Sequence, residues 1–83
     1  MPINYGNLHG LTARELISAL IRDSFSLDRQ AGSHQHYRHP DGRRVTVTFH
    51  TAGGTFKLKT LKSMIETQAV WNESDLKRLK LLK

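Results

Sequence analysis

The stretch DRQAGSHQHYRHPDGRRVTVTFH, residues 28–50, decides the fold. It reads as a strand, a small-residue break at Gly32-Ser33, a second strand opening at His34, a turn at Pro40-Asp41-Gly42, and a third strand. The turn sets the register. Pro40 suits the i+1 position of a type I turn and Gly42 the left-handed position that follows, which predicts a three-residue hairpin loop with a bulge at Gly42. His39 then lies opposite Arg43, Tyr37 opposite Val45, and Gln35 opposite Val47. Tyr37 joins Val45, Val47 and Phe49 on a core face. His34, His36 and Arg38 share the other face with Arg44, Thr46 and Thr48. A two-residue loop over Asp41-Gly42 would invert the faces, because one slip flips every side chain. It would bury two histidines and an arginine in place of the tyrosine.

Upstream, Phe25 and Leu27 alternate with Ser24, Ser26 and Asp28 as a half-buried first strand. Thr12-Ala13-Arg14-Glu15 has the form of a capping box, with Leu11 and Leu16 placed for a hydrophobic staple. Ala13, Leu16, Ile17, Leu20 and Ile21 follow the spacing of one buried helical face, predicting a helix over about residues 13–23. Downstream, residues 51–55 with Gly53-Gly54 read as a loop. Leu61, Met64, Ile65 and Gln68 predict a second helix over about 59–69. Lys57, Lys59 and Lys62 surround its start, where cations oppose the helix dipole and suggest an anion nearby. Asn72 as N-cap, Asp75 at N3 and Trp71 facing Leu76 predict a short third helix over about 73–82.

The expected fold is therefore α+β: a helix, a three-stranded antiparallel sheet, a helix, and a short extra helix. The helices cover the face holding Phe25, Leu27, Tyr37, Val45, Val47 and Phe49. The other face is wet, basic and histidine-bearing. One domain over residues 1–83 is expected, with residues 1–10 loosely ordered.

A chain of 83 residues buries only about 60% of its unfolded surface, so the core is small. With no cysteine, disulfides and thiolate metal sites are excluded, as suits a reducing compartment. The N-terminal residues lack the layout of a signal peptide, and no apolar run approaches the roughly 20 residues of a membrane span. The expectation is a cytoplasmic protein without a membrane partner. Thirteen Lys and Arg against seven Asp and Glu give a net charge of +6. Such an excess on a small domain favours a polyanion partner through counterion release, with a solvated surface as the plainer reading.

The segments Leu11-Thr12-Ala13-Arg14-Glu15-Leu16, Gly32-Ser33-His34, Tyr37-Arg38-His39-Pro40-Asp41-Gly42-Arg43, Val45-Thr46-Val47 and Thr60-Leu61, in that order, resemble the HicA toxin family of toxin–antitoxin pairs. The resemblance implies the α-β-β-β-α fold of double-stranded-RNA-binding domains. It also implies ribosome-independent mRNA cleavage with His34 essential, and a HicB antitoxin that masks His34. Three positions depart from the family pattern. Ser24 stands where glycine is usual before the first-strand aromatic. Thr48 stands where a proline often precedes the second motif histidine, here His50. Leu58-Lys59 lacks the usual Pro-Gly.

The chemistry of such a nuclease is legible in the residue types. RNA carries its own nucleophile, the 2′-hydroxyl, so the protein must supply a base, an acid and cations for the phosphate. Histidine suits both proton roles near neutrality. His34 is the candidate catalytic residue, supported by Gly32 and Ser33. Without the resemblance, the same tripeptide reads as a glycine bulge beside an exposed polar histidine. His36 and His50 are candidates for the second proton-transfer group, though for His36 the sequence favours the plainer reading, a polar residue of the wet face. His39 flanks the turn without chemistry. Arg29, Arg38, Arg44, Lys57, Lys59 and Lys62 are candidate RNA contacts. His34 and His36, with Asp28, make only a poor metal set, so neither metal nor small-molecule cofactor is expected. The expected function is a metal-independent endoribonuclease toxin acting on mRNA and restrained by a HicB-like antitoxin. The alternatives are a non-catalytic RNA-binding module of the same fold and a basic domain that meets an acidic protein.

Overall fold

The computed structural model describes residues 3, 5–8, 10–48 and 53–81. The expectations placed on Phe49, His50 and the helix end at residue 82 lie outside the described residues. The element order is α1 (Ala13–Arg22), β1 (Ser26–Ala31), β2 (His34–Arg38), β3 (Arg44–Thr48), α2 (Leu58–Lys62) and α3 (Glu73–Arg78). The chain leaves α2 directly into a π-helical segment, Ser63–Gln68. The strands form one antiparallel sheet in the order β1-β2-β3. This is the expected α+β architecture, that of the double-stranded-RNA-binding-domain type.

The hairpin between β2 and β3 has the predicted register, with Tyr37 opposite Val45 and Gln35 opposite Val47. The Gly42 amide donates to the His39 carbonyl at 2.9 Å, the His39 amide to the Arg43 carbonyl at 2.9 Å, and Gly42 has φ +99°. That is a type I turn closed by a left-handed glycine. Tyr37, Val45 and Val47 are buried. The Tyr37 hydroxyl is satisfied by Gln35 Oε1 at 2.7 Å.

Both predicted capping boxes are present, Thr12 with Glu15 on α1 and Asn72 with Asp75 on α3. The α1 stripe differs from expectation. Ala13, Leu16, Ala19 and Leu20 are buried, whereas Ile21 is 59% exposed. Successive residues turn by about 100° around a helix. A buried arc that takes in Ala19 therefore carries Ile21 past its opposite edge.

β1 also departs from expectation. Phe25 is buried just before the strand, but all six β1 residues are exposed, and Leu27 is 50% accessible. β1 is an outer strand, and a bulge between Leu27 and Arg29 twists it; bulges commonly protect such edges. Within the N-terminal stretch, Tyr5–Leu8 forms a 3-10 turn and Leu8 joins the core. Tyr5 donates a short hydrogen bond to Glu66 in the π segment.

The helix ends show where the sequence cues were weakest. α3 stops at Arg78, short of the predicted 82. Lys80 has φ +63°, and the Leu81 amide returns to the Leu76 carbonyl at 2.8 Å while the Lys80 amide returns to Lys77 at 3.0 Å. This is a Schellman closure without its usual glycine. α1 ends in the same way. Ser24 has φ +75°, and the Phe25 amide reaches the Leu20 carbonyl at 2.9 Å. Val70, after the π segment, has φ +54°. Left-handed backbone costs a residue with a Cβ about 1–2 kcal/mol. Ser24→Gly and Val70→Gly are each expected to raise stability by about 0.5–1.5 kcal/mol. The gain should be larger at the β-branched Val70. Midpoints of chemical denaturation check this, and a fall in stability for both variants would contradict it.

Asp23, at the end of α1, ties the layers together. Its carboxylate accepts from Trp71 Nε1 at 2.8 Å, Arg78 at 2.9 Å and Arg43 at 3.4 Å. Burial pushes its pKa up, but the Trp71 and Arg78 hydrogen bonds and the two guanidinium charges outweigh it and hold the carboxyl below its ordinary value. Arg43 also donates to the Ala69 carbonyl and lies 5.1 Å from the Phe25 ring centroid. These contacts anchor the hairpin end of the sheet, away from His34.

Candidate active site

His34 stands at the start of β2, immediately after a tight connection. Ala31 pairs with His34, so Gly32 and Ser33 are the central residues of a two-residue hairpin turn. Gly32 has φ +60° while Ser33 keeps a negative φ, the pattern of a type II′ turn with glycine first. A Cβ at Gly32 would meet nothing within 4 Å. Its requirement is therefore backbone conformation, not close approach of a neighbour. The tripeptide is thus a hairpin turn that delivers His34 onto the sheet.

The wet face is built by register. His34 pairs with Thr48, His36 with Thr46 and Arg38 with Arg44. β1 adds Arg29 opposite His36. A shallow groove of about 390 Å³ runs over this face, and its walls include Asp28, Arg29, His36, Arg38, Arg44 and Thr46. The structure therefore gathers the three predicted arginines around His36. His34 is exposed and lies one side-chain repeat along the same strand face, about 7 Å away.

Both histidines are held alike. His34 Nδ1 lies 3.1 Å from Thr48 Oγ1, and His36 Nδ1 lies 3.0 Å from Thr46 Oγ1. A threonine hydroxyl can accept from Nδ1–H or donate to a bare Nδ1, so the contact orients each ring; with the proton on Nδ1, Nε2 is left to exchange protons with a ligand. The strand carrying Thr46 is itself pinned. Gln68 Oε1 accepts the Thr46 amide at 2.8 Å, and Gln68 Nε2 donates to Ser63 Oγ at 3.2 Å. The π segment thus covers the outer edge of β3 beside the histidine pair. Thr46, Thr48 and Gln68 drew no functional role from the sequence. The hairpin register already put each threonine opposite a histidine, and that was the available signal. Nothing in the pattern marked Gln68.

Other candidates lie elsewhere. Lys57 is the N-cap of α2 and Lys59 is on its first turn, in the helical layer. Lys62 Nζ sits 5.5 Å from the Tyr5 ring centroid. None of the three joins the groove. His39 serves the turn: its Nδ1 accepts the Asp41 amide at 3.0 Å, and its ring meets Phe25 edge-on at 5.0 Å. His50 is outside the described residues. Among the described residues, no group of three or more His, Asp or Glu side chains is placed to hold a metal ion. No described helix is long and apolar enough to cross a membrane.

A family model described as the HicA toxin of bacterial toxin–antitoxin pairs matches residues 13–70. The chain belongs to the HicA toxin family. The match runs from the start of α1 to Val70, two residues past the π segment, so it takes in the sheet and its histidine face. It leaves out α3 and the N-terminal turn. No curated protein matches the chain. Membership makes this a toxin of a toxin–antitoxin system. The family's usual glycine would occupy without strain the left-handed backbone that Ser24 adopts here.

Proposed function

We propose that this HicA chain is a metal-independent endoribonuclease that cleaves mRNA in the cytoplasm, and that a HicB-like antitoxin silences it by covering His34. The observation that supports this reading is the exposed His34 ring, anchored through Nδ1 to Thr48 on a sheet face lined with Arg29, Arg38 and Arg44. The arginines draw the phosphodiester chain onto the face and offset charge as the phosphate becomes crowded. His34 Nε2 is free to move a proton at the scissile position. Gly32-Ser33 holds the ring at the sheet margin, where a single strand can reach it. Lys57, Lys59 and Lys62 extend the positive surface onto the helical layer and can guide RNA only at a distance from His34.

Attack by the RNA's own 2′-hydroxyl requires no metal-bound water. Purified protein is therefore expected to cleave a defined RNA in excess chelator, leaving a 2′,3′-cyclic phosphate upstream and a 5′-hydroxyl downstream. Mass spectrometry of the products reads this directly. Binding without cleavage would indicate the RNA-binding module instead. Activity lost in chelator and restored by one divalent ion would refute metal independence.

The antitoxin is expected to present acidic side chains to the same face, gaining electrostatic steering and excluding RNA together. Hydrogen exchange on the complex, or its structure, should show His34, His36 and Arg38 covered. Equal exposure of these residues in the free and bound toxin would contradict masking.

A further inference from the structure

We infer that His36 is the second proton-transfer group, so that His34 and His36 act as a base–acid pair across one phosphate. The inference rests on the nuclease reading above. The two rings share a strand face about 7 Å apart, a span that accommodates a base on the attacking 2′-oxygen and an acid on the departing 5′-oxygen of one phosphorus. Each Nδ1 is tied to a cross-strand threonine, at 3.1 Å for His34 and 3.0 Å for His36. Both Nε2 atoms are thereby left for substrate. A histidine kept only for surface polarity needs no such duplicate anchoring. The second anchor is the more constrained: His36 is half-buried, and its Thr46 partner is pinned by Gln68 at 2.8 Å.

The surroundings assign the roles. His36, unlike His34, lines the groove with Arg29, Arg38 and Arg44. Cations belong where negative charge develops, on the leaving oxygen, so the acid sits at His36 and the base at His34. In the step, neutral His34 takes the 2′-hydroxyl proton at Nε2 as the 2′-oxygen bonds to phosphorus. The bond from phosphorus to the 5′-oxygen breaks, and that oxygen takes the Nε2 proton of the His36 imidazolium. The products are a cyclic phosphate and a 5′-hydroxyl, with His34 protonated and His36 neutral. Exchange with water restores both rings.

A bridging sulfur in place of the 5′-oxygen separates this role from phosphate binding, because a thiol ionises near pH 8.5 and its thiolate departs without a proton. His36→Ala is expected to cleave ordinary RNA at least about 100-fold more slowly than wild type. On the 5′-thio substrate it should return to within about tenfold of wild type, while His34→Ala stays defective on both. His36→Gln keeps a polar side chain of similar reach but no transferable proton, and should behave like His36→Ala. Near wild-type cleavage of ordinary RNA by both His36 variants would overturn the inference, as would an equal defect on the two substrates. Wild-type protein that cuts neither substrate would instead refute the nuclease reading, and this inference with it.

Discussion

His34→Ala is expected to lower RNA cleavage by about 10²–10⁴-fold, the range for loss of a general acid or base, with stability unchanged within about 0.5 kcal/mol. The two halves of this expectation come from different facts. His34 is exposed at the first position of β2, so truncation leaves no core cavity. Among the described residues its ring makes one polar contact, to Thr48 at 3.1 Å, and that contact is at the surface. The type II′ turn that precedes it depends on Gly32, not on the imidazole. RNA affinity should also persist, because Arg29, Arg38 and Arg44 line a groove to which His34 does not contribute. Expression of the variant should be tolerated by cells that the wild type arrests. Single-turnover cleavage, denaturation and filter binding on one preparation check the three statements together. A variant that still cuts at near wild-type rate would remove His34 from the chemistry.

Trp71→Ala should have the opposite profile, weakening the fold without removing any group of the site. Trp71 is 3% exposed, meets Phe25 edge-on at 6.3 Å and donates from Nε1 to Asp23 at 2.8 Å. Truncating a buried aromatic costs about 3–5 kcal/mol, a large part of the roughly 5–15 kcal/mol that holds a domain together. The Asp23 carboxylate would also lose its tryptophan donor, leaving Arg78 and Arg43 as its partners. Trp71→Phe keeps most of the volume and removes only the donor, so about 1–3 kcal/mol is expected. Urea midpoints in the order wild type, Phe, Ala are predicted. Equal midpoints for the two variants would show that the indole hydrogen bond carries little.

The parts of the fold legible in sequence were those with local chemistry behind them. Pro40 and Gly42 dictated a turn type, the turn dictated the register, and the register separated Tyr37 and the valines from the histidines. The capping boxes at Thr12 and Asn72 were equally explicit. What was not legible depended on packing at a distance. The alternation of Phe25 and Leu27 suggested a half-buried strand, but β1 is an outer strand and Leu27 is left half exposed. Ile21 fitted the helical period, yet the buried arc of α1 tilts toward Ala19. Helix ends marked by Ser24, Val70 and Lys80 in left-handed backbone carried no glycine to announce them. At the site, the pattern gave the histidine face and its arginines. It did not show that each imidazole is oriented by the threonine opposite, since that depends on side-chain rotamers on a sheet already formed.

The central claim is that His34 works through the RNA's own 2′-hydroxyl. Its most direct test is cleavage of one short RNA beside the same strand carrying a single 2′-deoxy sugar at the scissile position. Wild-type protein is predicted to cut the first and leave the second intact at that bond, with equal affinity for both. Cleavage of the deoxy-substituted bond at a comparable rate would contradict the account, because it would require a nucleophile other than the 2′-oxygen.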